Sequence, residues 1–282
     1  MKTVRIIGVP EHFNYPWQLT INEGLFHNAG IDLQWTDIPQ GTGKMCEMLR
    51  NKETDLAVIL TEGILKDIAN GNPSVILQTY VKSPLQWGIH VNAQSNFNTV
   101  ADLHNKKVAI SRYGSGSELM AYVNAANQNW DANSIKFEVA HTLDGAVEAL
   151  SNNTADYFMW DRFMTQPIVD KGIFRRIDVC PTPWPCFMVV ARTAFYEENK
   201  ALVKHLLKII NQTTVEFKLI PSIDKTLAST FDQKLEDIQQ WLQITKWSQK
   251  QVTEVEFNQI NTDLIKYNII SEPLSFHQVI AQ

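Results

Sequence analysis

Seven consecutive residues, Ser111-Arg112-Tyr113-Gly114-Ser115-Gly116-Ser117, bring together hydroxyls, a guanidinium and two glycines. A helix that starts here exposes backbone N–H groups with no intrahelical partner, and Ser111, Ser115 and Ser117 add neutral donors beside them. With Gly116 allowing close approach, this is a cradle for a carboxylate, sulfonate or phosphate. Arg112 adds a charge-assisted hydrogen bond. Ser117 also fits a plain N-cap, and the two roles are compatible. His12, Asn14 and Trp17 follow the first apolar run, Val4–Val9, while Gly41-Thr42 and Thr61-Glu62 follow the next two. His12 reads either as a ligand contact or as a surface or capping residue, and Thr42 as a contact or an N-cap. Glu62 would favour a ligand carrying a donor or a positive charge; facing solvent, it is a first-turn acid stabilised by the helix dipole.

Trp87, Trp160 and Trp184 stand at strand ends or chain crossings. With Trp17 they offer ring faces for a flat ligand, or they fill the core. Asp161, beside Trp160, supplies an acceptor. The chain holds eight tryptophans in 282 residues. Its three cysteines, Cys46, Cys180 and Cys186, show no zinc or disulfide spacing. A net charge of −5, with basic residues clustered only as the dipeptides Lys106-Lys107 and Arg175-Arg176, argues against nucleic acid; solvated element ends explain both dipeptides. No apolar run approaches a membrane span, so no membrane insertion is expected. The opening residues read as a strand rather than a signal peptide. A cytoplasmic location is therefore expected, and a periplasmic one only if a leader has been removed.

The elements that position these residues alternate as strand and helix, the grammar of parallel sheets. Strands are expected at Val4–Val9, Ile31–Asp37, Asp55–Leu60, Ser74–Val81 and Trp87–Val91, with a helix over Trp17–Ala29. The order restarts with strands Lys107–Ser111, Ile135–Ala140 and Asp156–Trp160 and helices Ser117–Asn129, Leu143–Asn152 and Asp161–Lys171. Glu47, Leu49, Asn51, Asp55 and Gly71 recur as Glu148, Leu150, Asn152, Asp156 and Gly172, each pair 101 residues apart. Two similar α/β lobes follow from this repeat. The segment Cys180–Cys186 is too Pro-rich for a strand. Phe187–Ala191 is a strand again, and only helices come after it. The chain is thus expected to cross back, giving lobe one as residues 1–86 plus 188–282 and lobe two as 87–187, with the C-terminal helices packed on lobe one.

Gly8-Val9-Pro10-Glu11-His12-Phe13-Asn14, Gly41-Thr42-Gly43-Lys44-Met45, Ser83-Pro84-Leu85-Gln86-Trp87-Gly88 and Ser111–Ser117 resemble the type 2 periplasmic-binding-protein-like family. The likeness is to its nitrate/sulfonate/taurine solute-binding and thiamine-pyrimidine-synthase-like branch, and within that to a leaderless subgroup. The clustered-cysteine iron motif of the eukaryotic pyrimidine synthases is missing. The resemblance implies an α/β fold of two lobes joined by two crossing segments, closing on a small-molecule ligand at the carboxyl ends of the strands. It implies no cofactor and no metal, and for exported relatives an ABC permease as partner. The donors, acceptors and ring faces above fit a pyrimidine or similar heterocycle better than bare nitrate, which would leave acids unpaired. The alternative is a cytoplasmic enzyme of the same fold acting on a small aromatic or pyrimidine metabolite. Nucleophile elbow, P-loop and metal motif are all absent, so binding is the preferred reading.

Overall fold

A computed structural model describes all residues, Met1–Gln282. The chain divides into two units, Met1–Ser83 with Trp184–Gln282, and Pro84–Pro183. These boundaries fall a few residues from the expected ones. The chain leaves unit 1 after Ser83 and re-enters it at Trp184.

Unit 1 contains strands β1 (Lys2–Gly8), β2 (Ile31–Asp37), β3 (Leu56–Leu60) and β4 (Ser74–Val81). Unit 2 contains β5 (Gln86–Asn92), β6 (Lys107–Ile110), β7 (Lys136–Val139), β8 (Tyr157–Asp161) and β9 (Phe174–Pro181), and β10 (Phe187–Arg192) returns to unit 1. The first sheet has the order β2-β1-β3-β10-β4 and the second β7-β6-β8-β5-β9. In each, three parallel strands are followed by an antiparallel strand that has just crossed from the other unit. The fold is the expected two-lobed α/β arrangement.

The central strand β3 is buried because its sequence, Leu-Ala-Val-Ile-Leu, carries nothing but apolar side chains, and every residue of β4 is buried too, its Ser74, Gln78 and Thr79 included. The C-terminal part docks on β4, through Thr79 N–H to Lys250 O at 3.1 Å and Ala281 N–H to Ile76 O at 3.0 Å.

The repeated aspartates do the same work in both sheets. Asp55 accepts the Arg5 N–H at 3.0 Å and returns its own N–H to Arg5 O at 3.1 Å. Asp156 makes the same exchange with Lys107, at 2.8 Å in both directions. Each carboxylate thus pins the start of β3 or β8 to β1 or β6.

Three expectations are corrected. The helix over Trp17–Ala29 is two helices, Tyr15–Asn22 and Leu25–Asn28, because Gly24 adopts φ +70° between them. The helix over Asp161–Lys171 shrinks to Gln166–Asp170, because the Asp161 carboxyl accepts the N–H groups of Phe163 and Met164 and turns the chain first. Cys180 and Pro181 lie in a strand after all. They end β9, an edge strand, where a residue without an N–H is tolerated.

Candidate functional site

In unit 1 the carboxyl ends of β1, β2 and β3 lie along one edge of the sheet, where Gly8 pairs with Asp37 and Phe187 pairs with Leu60. The turns after these strands and the residues just before β10 therefore gather there. His12 and Asn14 form a 3-10 turn whose Phe13 carbonyl accepts from the Tyr80 hydroxyl at 2.9 Å and the Trp247 indole at 3.2 Å. Asn14 closes the turn onto Val9 O at 2.9 Å.

His12 is neither a surface nor a capping residue. It is fully buried, its ring centroid 4.2 Å from that of Trp241, with Phe13 and Phe231 at 5.2 and 5.5 Å. Neither ring nitrogen has a hydrogen-bond partner, and burial pushes its pKa down to about 3. Trp17 is core: it is fully buried and stacks on Phe26 and Trp35. It offers no open face to a ligand.

Gly41, at φ +75°, precedes the helix Thr42–Arg50, so Thr42 is the first helical residue and not its cap. A Cβ on Gly63 would come within 2.2 Å of the Thr42 methyl group. Glycine at 63 is what lets these two helix starts approach. Thr61 is tied down, its N–H to Cys186 O at 3.1 Å and its hydroxyl to the carbonyls of Pro185 and Cys186.

Glu62 differs from its neighbours. It is 1% exposed, one oxygen accepts the Trp184 indole N–H at 2.7 Å, and the other has no partner. Burial pushes its pKa up to about 7 against the pull of hydrogen bonds from its own backbone N–H and from the Trp184 indole. Trp184 is itself buried, edge-on to Tyr267. It anchors Glu62 and presents no open ring face, a correction to its expected stacking role.

In unit 2 the turn Ser111–Ser117 opens the helix Gly116–Asn127. The cap is Ser115, which accepts Glu118 N–H at 3.3 Å; Ser117 instead accepts Ser111 N–H at 3.0 Å and shares a hydrogen bond with Ser115 Oγ at 3.0 Å. All three serines are buried, and Arg112 is half-buried. The Glu118 carboxylate takes the Gly114 N–H at 2.6 Å, so part of the expected anion cradle already holds an anion of this chain. The Ser-x-x-Glu spacing of Ser115 and Glu118 is the signal that identifies it.

Asp161 ends β8 and pairs directly with Trp87 of β5. One carboxyl oxygen accepts from Phe163 and Met164 at 2.9 and 2.8 Å, and the other has no partner. Burial pushes Asp161 up to about 6, opposed by these bonds and by Arg176 and Arg162. Trp87 is buried and edge-on to the half-buried Trp160, whose ring stacks on Phe158.

Three unpartnered groups, those of His12, Glu62 and Asp161, thus follow or end parallel strands, Glu62 after β3 and Asp161 at the end of β8, its counterpart in the second sheet. Trp241, Tyr80 and Trp247, which hold the His12 turn, went unrecognised in the sequence because their partners are far away in the chain. No group of three or more metal-ligating side chains is present, and no helix is long and apolar enough to cross a membrane. A groove of about 860 Å³ in unit 1 lies elsewhere, lined by Gln78, Lys200, Lys204, Lys208 and Asn211 among others.

Residues 87–180 match the Ca3427-like PBP family. No protein of curated function matches the chain. The Candida albicans CA3427 gene product, which exhibits the generic periplasmic binding protein fold, is 23% identical with a TM-score of 0.87, over 99% of this chain and 93% of that one. The alkanesulfonate-binding protein SsuA from Xanthomonas axonopodis pv. citri, bound to MOPS, is 15% identical with a TM-score of 0.80, covering 99% and 98%. PhnD1 from Prochlorococcus marinus, in complex with methylphosphonate, is 11% identical with a TM-score of 0.64, covering 95% and 99%. At these identities the likeness is one of fold.

Proposed function

We propose that this protein binds a small organic solute at a strand-end site, and that the solute is a nitrogen heterocycle of the pyrimidine kind. Glu62 carries this reading. It is a buried carboxyl with one oxygen unpartnered and no cation beside it, which a neutral or cationic N–H donor satisfies and an oxyanion does not. Asp161, in unit 2, is likewise a buried carboxyl with one oxygen unpartnered, though Arg176 and Arg162 act on it. Sulfonate and phosphonate, the ligands of two proteins of similar fold, would meet a buried acid at either residue. Delivery of the solute to an ABC permease rests on the family resemblance alone.

Binding is preferred over catalysis because the sequence carries no nucleophile elbow, P-loop or metal motif, and His12 makes a poor base. With a pKa near 3 it is neutral at pH 7 but poorly matched to proton abstraction there.

The test is a thermal-shift and tryptophan-fluorescence screen of aminopyrimidines, thiamine precursors, aromatic acids, alkanesulfonates and nitrate. A ligand at a hundred times its Kd stabilises the folded state by about 2.7 kcal/mol. Heterocycles are expected to bind and to be recovered unchanged by mass spectrometry. A screen in which none of these compounds shifts either signal overturns solute binding, and repeated turnover overturns the preference for binding over catalysis.

A further inference from the structure

Trp87 and Asp161 are direct partners across β5 and β8, so their side chains leave the sheet on the same face, their Cβ atoms about 4.5–5.5 Å apart. Each residue is 4% exposed. The Trp87 indole N–H, a donor with no acceptor capacity, has no partner, and neither has the second carboxyl oxygen of Asp161. One buried unsatisfied group is uncommon and costly. Here a donor and an acceptor stand as neighbours, and they do not satisfy each other.

The rest of Asp161 is fixed. Its first oxygen is held by the N–H groups of Phe163 and Met164, at 2.9 and 2.8 Å, which orients the carboxyl plane. Trp87 is held against Trp160, with ring centroids 6.1 Å apart and planes at 71°. A carboxyl that titrates near 6 is mostly ionised at pH 7.5, and so is an acceptor there. Unit 2 therefore presents one oriented donor and one oriented acceptor side by side.

We propose that Trp87 and Asp161 together read a single ligand edge on which a hydrogen-bond acceptor stands next to an N–H donor. The indole N–H donates to the acceptor, a ring nitrogen or a carbonyl oxygen, while the carboxylate accepts from the adjoining N–H. Amino-substituted azines, lactams and primary amides carry such an edge. This deepens the solute-binding reading and rests on it. A bare oxyanion could accept from Trp87 but, like a ring without an exocyclic or lactam N–H, would offer Asp161 no donor and leave it unpartnered.

The experiment compares three probes with the intact chain at pH 7.5: 4-aminopyrimidine, 4-(dimethylamino)pyrimidine and methanesulfonate. Wild type, Trp87→Phe and Asp161→Asn are each titrated by calorimetry. Wild type is expected to bind 4-aminopyrimidine at least tenfold more tightly than the dimethyl analogue. Asp161→Asn is expected to lose about tenfold for the amino compound and much less for the dimethyl one. Trp87→Phe is expected to lose about tenfold for either, since the Trp87 indole N–H meets a ring nitrogen that both compounds carry. Asp161→Asn retains an oxygen for the Phe163 and Met164 N–H groups, and circular dichroism checks that both variants fold. The comparison of two ligands on wild type stands even if they do not. Equal binding of the amino and dimethyl compounds by wild type overturns the edge proposal. So does methanesulfonate binding with no heterocycle binding, an outcome that leaves solute binding intact. If none of the three binds, the edge proposal fails, and solute binding is then judged by the wider screen above.

Discussion

The indole N–H of Trp184 meets the carboxyl of Glu62 at 2.7 Å, joining the start of the helix Thr61–Ala69 to the segment by which the chain re-enters unit 1, 122 residues later. Glu62 is thereby fixed at the end of β3 with its second oxygen unpartnered. A carboxyl that is buried, with one oxygen unpartnered and no cation beside it, has a measurable thermodynamic signature.

In the folded chain Glu62 titrates near 7, against 4.5 for an unperturbed glutamate. Below pH 4.5 both states carry the proton, and the group leaves stability unchanged. As pH rises through 4.5 the unfolded chain ionises first, so the folded state loses relative stability until the pH passes 7. Glu62→Gln keeps an acceptor for Trp184 and has no such dependence. The stability of the variant relative to wild type should therefore rise by about 2 kcal/mol between pH 5 and pH 8 in urea unfolding, at roughly 1.4 kcal/mol per pKa unit. The same difference at both pH values would show that Glu62 ionises as freely folded as unfolded.

Trp184→Phe keeps the ring packed and deletes the only hydrogen bond to the Glu62 carboxyl from another side chain. A cost of about 1–3 kcal/mol is expected, the range for a buried acceptor left unpaired. In the Glu62→Gln background the same change should cost measurably less, since the two residues share one interaction. Strict additivity in the cycle would mean that the bond contributes nothing.

How far the sequence reveals this arrangement depends on how local the determining contacts are. Strand β3, with five apolar residues in a row, and the Asp55/Asp156 repeat are visible because burial and backbone pairing leave their mark on neighbouring residues. Strand β9 is invisible because it lies at the sheet edge, and its Arg175 and Arg176 read as solvated charge. In fact Arg175 donates to the carbonyls of Ser95 and Phe97, and Arg176 to Arg162 O and Gln166. The position of Glu62 after a strand singles it out as a candidate. Its partner Trp184 cannot be inferred the same way, because no periodicity links residues so far apart. Ser115 rather than Ser117 caps the helix, because Glu118 fixes the turn.

Gly63→Ala places a methyl group where the Thr42 side chain already lies, 2.2 Å from its Cγ2. Overpacking of this kind costs about 1–3 kcal/mol. Thr42→Ser removes the offending methyl, so the double variant should recover most of the loss in thermal denaturation. Failure of Thr42→Ser to rescue Gly63→Ala would place the strain elsewhere.

Asp55 and Asp156 share one backbone exchange but not their side-chain partners. Burial pushes the Asp55 carboxyl up, and hydrogen bonds from Arg5 and Arg192 outweigh it, holding the pKa below the usual carboxylate range. Its oxygens accept from the Arg5 N–H, Nε and Nη2 at 3.0, 3.2 and 3.0 Å and from Arg192 Nη2 at 2.8 Å. Arg192 is only 14% exposed at its side chain. Asp55→Ala would leave that guanidinium short of its acid, and a loss of about 2–4 kcal/mol is expected, towards the lower end of the range for breaking a buried pair. Asp156→Ala removes the acceptor of the Lys107 N–H, with an expected loss of about 1 kcal/mol. The Asp55 contribution is present above the normal aspartate pKa and fades as pH falls through the lowered one, so the gap between the two variants should narrow in acid. Urea midpoints for both variants at pH 7 and pH 3 test this, and equal losses at pH 7 would mean that the arginines around Asp55 add nothing beyond the backbone exchange.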